Sequence, residues 1–384
     1  MTAFFVLLLS FIGLGLAIPD PFVYQHRPFD NVTIFNPPRN WTSHRTSYAR
    51  TVLLEHNGDK DDTLLASWSL SPPGRVYAPI YQSKDGGYSW KELSKVYFSA
   101  AADVGSIILQ VFLYELPQKF GGYPAGTVLL TANAIPADFS STNIQLYAST
   151  DKGRSFEFVS DVAVGGGPNT TNGATPVWEP MILMHEGELG VFYSDSRDPK
   201  HGQKLAHQTT FDLKNWGEVV NDAAETNYTL RPGMTTIAKM GNGKYIFSYE
   251  LAFAQEDPIN AEYAVHYRIA DSPFEFDTAE EILLEATDGT ISSAGPQTIW
   301  TPAGGPNGTI ITSDSEYSDF FINRAYGHPG AWIRVPSGKG VGYTRDLRIM
   351  PHTKGKVILV TNGGMYGRSE TIVSCANWIV PDAK

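Results

Sequence analysis

Six hairpin-like units about 59 residues apart, two copies of a Ser-x-Asp-x-Gly-x-Ser-aromatic turn, and a turn-rich, charge-poor composition predict an all-β fold, a six-bladed β-propeller of four-stranded antiparallel blades. The 384 residues include 36 Gly and 25 Pro, and only 18% are charged. That balance excludes a coiled coil and a disordered acidic chain.

Each unit is an apolar or alternating run, a glycine turn and a second such run. In order, Arg50–Leu54 and Thr63–Trp68 flank Gly58, and Val111–Leu116 and Thr127–Ala132 flank Gly126. Met181–Met184 and Leu189–Ser194 flank Gly187; Met234–Met240 and Tyr245–Tyr249 flank Gly243. Gln297–Trp300 and Thr309–Thr312 flank Gly308; Arg348–Met350 and Val357–Thr361 flank Gly355. The turn glycines lie 68, 61, 56, 65 and 47 residues apart, the length that four strands and their loops require. Ser83–Trp90 and Ser149–Phe156 are Asp-box turns, in which Asp and Ser side chains bond the turn backbone, Gly takes positive φ, and the aromatic packs beneath. Weaker copies lie at Asp212–Trp216 and Asp271–Phe276. Phe22–Phe35 has strand character and is expected to join the last blade and close the ring. Two stacked β-sandwiches are the alternative, but no linker or composition shift marks a boundary.

Met1–Ala17 reads as a secretory signal, apolar over Phe4–Leu16 with small residues before the cleavage point. That leaves residues 18–384 as one propeller domain. Five Asn-x-Ser/Thr sequons, at Asn31, Asn40, Asn169, Asn227 and Asn307, fit an extracellular protein. The net charge of −11 argues against nucleic acid and anionic membranes as partners. A single cysteine, Cys375, excludes an intramolecular disulfide and a Cys-rich zinc site. A monomer is the default state, and no cofactor or metal is called for. Asn57–Asp62 lacks the distal glutamate of a calcium loop, and His185-Glu186 lacks a second histidine at metalloprotease spacing.

In a propeller, the starts of first strands and the ends of second strands converge at one mouth of the central channel. Arg50, Glu179, Arg231 and Tyr343 stand at the starts; Asn133, Asp195, Glu250, Asp314 and Asn362 stand at the ends. Glu179 and Glu250 fall on adjacent blades, each directly after an aromatic residue, in Trp178-Glu179-Pro180 and Ser248-Tyr249-Glu250. Two carboxyls in an aromatic-lined concavity suit glycoside hydrolysis, one donating a proton to the leaving oxygen and the other attacking or activating water.

With these motifs and Gly342-Tyr343-Thr344-Arg345, the chain resembles glycoside hydrolase family 93 over essentially Pro19–Lys384. The resemblance implies a secreted, retaining exo-α-1,5-L-arabinanase of the sialidase superfamily, releasing arabinobiose from the non-reducing end of arabinan or arabino-oligosaccharides. It implies Glu179 and Glu250 as the catalytic pair, tuned by Tyr343. Glu179 is favoured as nucleophile and Glu250 as acid/base, whereas the sialidase pattern implies the reverse. Expected substrate contacts are His44, Arg45, Arg50, Trp178, Asp195, Arg197, Arg231 and His328. The segments Phe98–Gln110, Gly165–Val177 and Asp314–Val341 are expected to wall one end of the channel. A sialidase using Arg50, Arg231 and Arg345, or a non-catalytic carbohydrate-binding propeller, are the alternatives.

Overall fold

Second strands of the hairpins are apolar at nearly every position because both of their faces are covered. Leu64–Leu70 and Val128–Ile135 are buried throughout, whereas the outer strand Lys91–Val96 exposes Lys91, Glu92 and Lys95. A computed structural model describes residues 28–58, 62–253, 263–365, 368 and 371–383. The expected leader Met1–Ala17 and the acidic residues Asp59–Asp61 lie outside the described residues.

Among the described residues, six antiparallel sheets of four strands form six blades. The first described strand is β1 (Val32–Phe35). Blade one is β2 (Thr46–Leu53), β3 (Leu64–Leu70), β4 (Ala78–Ser83) and β5 (Lys91–Val96). Blade two is β6 (Ile107–Glu115), β7 (Val128–Ile135), β8 (Thr142–Ser149) and β9 (Glu157–Gly165). Blade three is β10 (Val177–His185), β11 (Glu188–Asp195), β12 (Lys204–Thr210) and β13 (Val220–Ala223). Blade four is β14 (Leu230–Lys239), β15 (Tyr245–Phe253), β16 (Tyr263–Ala270) and β17 (Ile282–Leu283). Blade five is β18 (Gln297–Thr301), β19 (Thr309–Ser313), β20 (Phe320–Asn323) and β21 (Trp332–Val335). Blade six is β22 (Asp346–Ile349), β23 (Val357–Asn362), β24 (Val373–Ile379) and, last in the sheet, β1.

The closing strand falls within the expected segment, at Val32–Phe35; residues 22–27 of that segment lie outside the described residues. Val32 pairs with Cys375 and Thr33 with Ser374. Ile34 then packs with Trp68, Leu359 and Cys375 between blades six and one. The other five apolar clusters fill the remaining blade interfaces, so the core is a ring of six contacts between neighbours.

The turns between third and fourth strands dock on the neighbouring blade. In the first, Asp85 accepts the Ser89 amide (2.9 Å), Ser83 Oγ accepts the Gly87 amide (2.8 Å), and the Trp90 indole donates to Gly87 O (3.0 Å). In the second, Gly153 has φ +86°, and a side chain there would begin 2.7 Å from Leu65 of blade one. Blade five uses Asn323 in place of the serine, its Oδ1 accepting the Gly327 amide at 3.0 Å.

Two expected wall segments need redrawing. Asp314–Val341 contains β20 and β21, so only its ends and the turn between those strands are loop. Phe98–Gln110 contains a single 3₁₀ turn at Ser99–Ala101 and already enters β6 at Ile107. Gly165–Val177 is the connection between β9 and β10, as read.

Ile34 is 6% exposed on the strand that closes the ring. Ile34→Ala is expected to lower stability by about 2–4 kcal/mol. A fall in the urea midpoint would measure this, and an unchanged midpoint would mean that closure does not limit stability.

Candidate active site

Four of the six innermost strands are kinked where they approach the channel mouth. The ladder slips between Ser47 and Arg50 in β2, Leu109 and Phe112 in β6, Trp178 and Met181 in β10, and Gly233 and Thr236 in β14. Tyr48, Gln110, Glu179 and Met234 sit in these bulges with φ of 51°, 59°, 63° and 64°. Gly295 and Thr344, at 50° and 53°, hold the matching place just ahead of β18 and β22. A left-handed conformation at a bulky residue costs on the order of 1–3 kcal/mol, and such strain gathers at functional sites.

The bulge amides of blades two to five each donate to the preceding blade. Gln110 N–H bonds Ser69 Oγ (3.0 Å), and Glu179 N–H bonds Gln110 Oε1 (3.0 Å). Met234 N–H bonds Glu179 Oε2 (2.7 Å), and Gly295 N–H bonds Glu250 Oε2 (2.6 Å). Both carboxylates found in the sequence are therefore gripped by the kinked backbone of the next blade.

They face one another across Gly233, which pairs with Glu250 in the β14–β15 ladder. The point where a Gly233 Cβ would stand is 3.4 Å from Glu179 Oε2 and 3.7 Å from Glu250 Oε1, which together hold those oxygens within 7.1 Å of each other. A small channel cavity beside Glu179 is lined by Tyr48, Arg50, Gln110, Met234 and Gln297.

The two carboxyls differ electrostatically. Burial and the charge of Glu179 push Glu250 up to about 8, opposed by the Gly295 amide. Burial also raises Glu179, but Ser194 Oγ (2.8 Å), the Met234 amide, and the charges of Arg231 and Arg50 favour its ionised form. Of the pair, Glu179 has the more groups that favour its ionised form, and Glu250 has the single Gly295 amide.

Tyr343 also reaches the site. Its ring meets Tyr48 edge-on at 5.2 Å, the Tyr48 hydroxyl donates to it (3.3 Å), and it contacts Met234 Sδ at 3.8 Å. Burial, then Tyr48 and both carboxylates, raise its pKa well above 10, so it stays neutral.

The arginines are held by the protein itself. Arg50 donates to Thr344 O (2.8 Å) and Ala49 O (3.0 Å). Arg231 donates to Asn172 Oδ1 (2.9 Å), Gly202 O (3.1 Å) and Gln203 Oε1 (2.6 Å). Arg345 is fully buried among carbonyls that include Ser318 O, Tyr317 O and Gly340 O. This arrangement disfavours a three-arginine clamp for an anionic sugar.

The remaining candidates divide by location. Trp178 is buried beside Glu179. Asp195 and Arg197 bond each other twice at 2.9 Å, and Arg197 also bonds the Tyr193 hydroxyl (2.9 Å), so the pair braces blade three. His44 bonds Pro38 O (3.2 Å), and exposed Arg45 follows it just before β2. His328 does not belong to the mouth: it lies in the β20–β21 turn, on the opposite face of the ring. Its misplacement follows from reading Asp314–Val341 as one loop. Tyr48, Gln110, Gly233 and Met234 escaped the sequence reading because first strands were begun at or after the bulge. Counting back two residues from where each ladder resumes aligns Tyr48, Gln110 and Met234 with Glu179, and Gly233 stands one residue before Met234. Among the described residues, no cluster of three or more His, Cys, Asp or Glu side chains has metal-binding geometry.

No protein-family model matches the chain, and no curated protein does. Solved structures do. The chain is 39% identical to the GH93 α-L-arabinofuranosidase of Fusarium graminearum in complex with arabinobiose, with a TM-score of 0.85 over 92% of this chain and 98% of that one. It is likewise 39% identical to the α-L-arabinanase of Penicillium chrysogenum complexed with arabinobiose, with a TM-score of 0.85 over 92% and 99%. A leech intramolecular trans-sialidase shares the fold at 11% identity, with a TM-score of 0.63 over 91% and 70%.

Removing the Glu179 charge must lower the Glu250 pKa. Carboxyl carbon NMR is expected to show Glu250 titrating near 8, and at lower pH in Glu179→Gln; an unmoved Glu250 would refute their coupling. Because the folded value lies above the ordinary 4.5, the protonated form stabilises the fold at low pH, and this contribution is lost as pH rises from 4.5 through 8. Glu250→Gln should therefore gain in urea midpoint relative to the wild type across that interval.

Proposed function

Since the chain belongs to glycoside hydrolase family 93, we propose that it is an exo-acting arabinanase that removes arabinobiose from the non-reducing end of α-1,5-L-arabinan with retention of configuration. Its relatives are arabinan-active glycoside hydrolases with arabinobiose bound, which makes this chain an arabinan-cleaving glycosidase. The observation that carries the mechanism is the unequal electrostatics of two carboxyls flanking one gap.

Glu250, protonated at neutral pH, donates its proton to the glycosidic oxygen as the bond to the anomeric carbon breaks. Glu179 Oε attacks that carbon, giving a covalent arabinobiosyl ester. Water then attacks the anomeric carbon, Glu250 carboxylate takes its proton, and Glu179 leaves as carboxylate. The two oxygens lie within 7.1 Å of each other, a bound that admits the separation of about 5–5.5 Å on which a retaining pair works. Neutral Tyr343 stands beside both carboxylates, where its hydroxyl can steady the one nearest the anomeric carbon. Trp178, His44 and Arg45 are proposed sugar contacts near the mouth. Arg50 and Arg231 favour the Glu179 anion, and Asp195 with Arg197 braces the rim.

Secretion is proposed from Met1–Ala17, and all five sequon asparagines are exposed. One propeller domain over residues 18–384, acting as a monomer, completes the reading.

Glu179→Ala and Glu250→Ala are each expected to lose at least about 10³-fold in kcat on linear arabinan. Azide should rescue Glu179→Ala to a glycosyl azide of inverted configuration and Glu250→Ala to one of retained configuration. Near-wild-type hydrolysis by either variant would refute the site. Chromatography of debranched-arabinan digests should give arabinobiose from the first time points; a ladder of longer oligomers would refute exo action. The kcat/KM profile should fall above about pH 8, where Glu250 loses its proton.

A further inference from the structure

The blade repeat gives one position a common aim. The residue just before the left-handed one is Ser47, Leu109, Trp178, Gly233, Ala294 and Tyr343 in blades one to six. Blade six places Tyr343 there, with its side chain against Tyr48 and Met234. Blade four places no side chain there at all.

Neither backbone nor packing demands that glycine. Gly233 lies outside the left-handed region, so any residue can adopt its conformation. A Cβ there would meet Gln203 Nε2 at 3.4 Å, Glu179 Oε2 at 3.4 Å and Glu250 Oε1 at 3.7 Å, all ordinary van der Waals distances. Gly342, by contrast, would drive a Cβ into Asn362. What a side chain at 233 would occupy is the gap between the two carboxyls.

We propose that Gly233 is a specificity-determining residue: its bare Cα is the floor on which the reacting pentofuranose ring lies between Glu179 and Glu250. This rests on the reading of those glutamates as the catalytic pair. Reaction needs the anomeric carbon about 3–3.5 Å from the attacking oxygen, and a methyl on Gly233 would stand at that range from Glu179 Oε2. The ring would be lifted off the carboxylates, while the protein around it would not have to move.

Gly233→Ala is expected to lose on the order of 100-fold in kcat/KM on linear arabinan, with Tm within about 2 °C of the wild type. Crystals of the wild-type protein soaked with arabinobiose supply a test that needs no variant. A furanose carbon should lie within about 4.5 Å of Gly233 Cα. Gly233→Ala activity within threefold of wild type, or a bound furanose away from Gly233, would overturn the proposal. Activity retained in Glu179→Ala or Glu250→Ala would instead overturn the underlying reading, which separates the two failures.

Discussion

The site depends on one backbone event, the left-handed residue that each blade places at the mouth, in a strand bulge in blades one to four and just ahead of the inner strand in blades five and six. A regular strand would direct its amides along its own ladder. The kink turns them sideways, toward the preceding blade, and two of the amides so turned meet Glu179 and Glu250. The carboxylates are thus aimed by the neighbouring backbone as well as by their own rotamers. Such an arrangement is possible only in a closed ring, where each blade has a partner on both sides. The strain at Tyr48, Gln110, Glu179 and Met234 is offset by these bonds and by the apolar interfaces beneath.

Burial raises both carboxyls, but the groups that favour ionisation are unevenly shared. Glu179 has a hydroxyl, an amide and two guanidinium charges to favour its anion. Glu250 is opposed by the Glu179 charge and helped by the Gly295 amide. Arg50 and Arg231 act at a distance, since their own hydrogen bonds go to carbonyls and amides of the fold. In this sialidase-like scaffold, the two basic residues thereby favour the ionised form of Glu179 without a direct hydrogen bond to it.

Much of this was legible in the sequence, for physical reasons. Hairpins repeat because each blade must bury both faces of its inner strands, which forces apolar runs between glycine turns. Glu179 and Glu250 could be found because strand ends converge in a ring. The bulge left no comparable trace: Tyr, Gln, Glu and Met do not announce a positive φ, and a one-residue slip hides which side chain enters the channel. Gly233 was invisible for a related reason, since its importance is an absent side chain. His328 was misplaced because Asn323 builds its turn without the serine that marks the other copies, so β20 and β21 were read as loop.

Ring closure by β1 beside β24 has a further consequence. The join between last and first blade is made by hydrogen bonds and an apolar cluster like those that join every other pair. The polypeptide's starting point is therefore arbitrary with respect to the architecture. The chain could be opened at a turn on the face away from the mouth, such as the one at Gly187, and its present ends tethered, leaving each blade between the same neighbours. Seen this way the molecule is topologically a circle that has been cut once, and the cut lies far in sequence from Glu179 and Glu250.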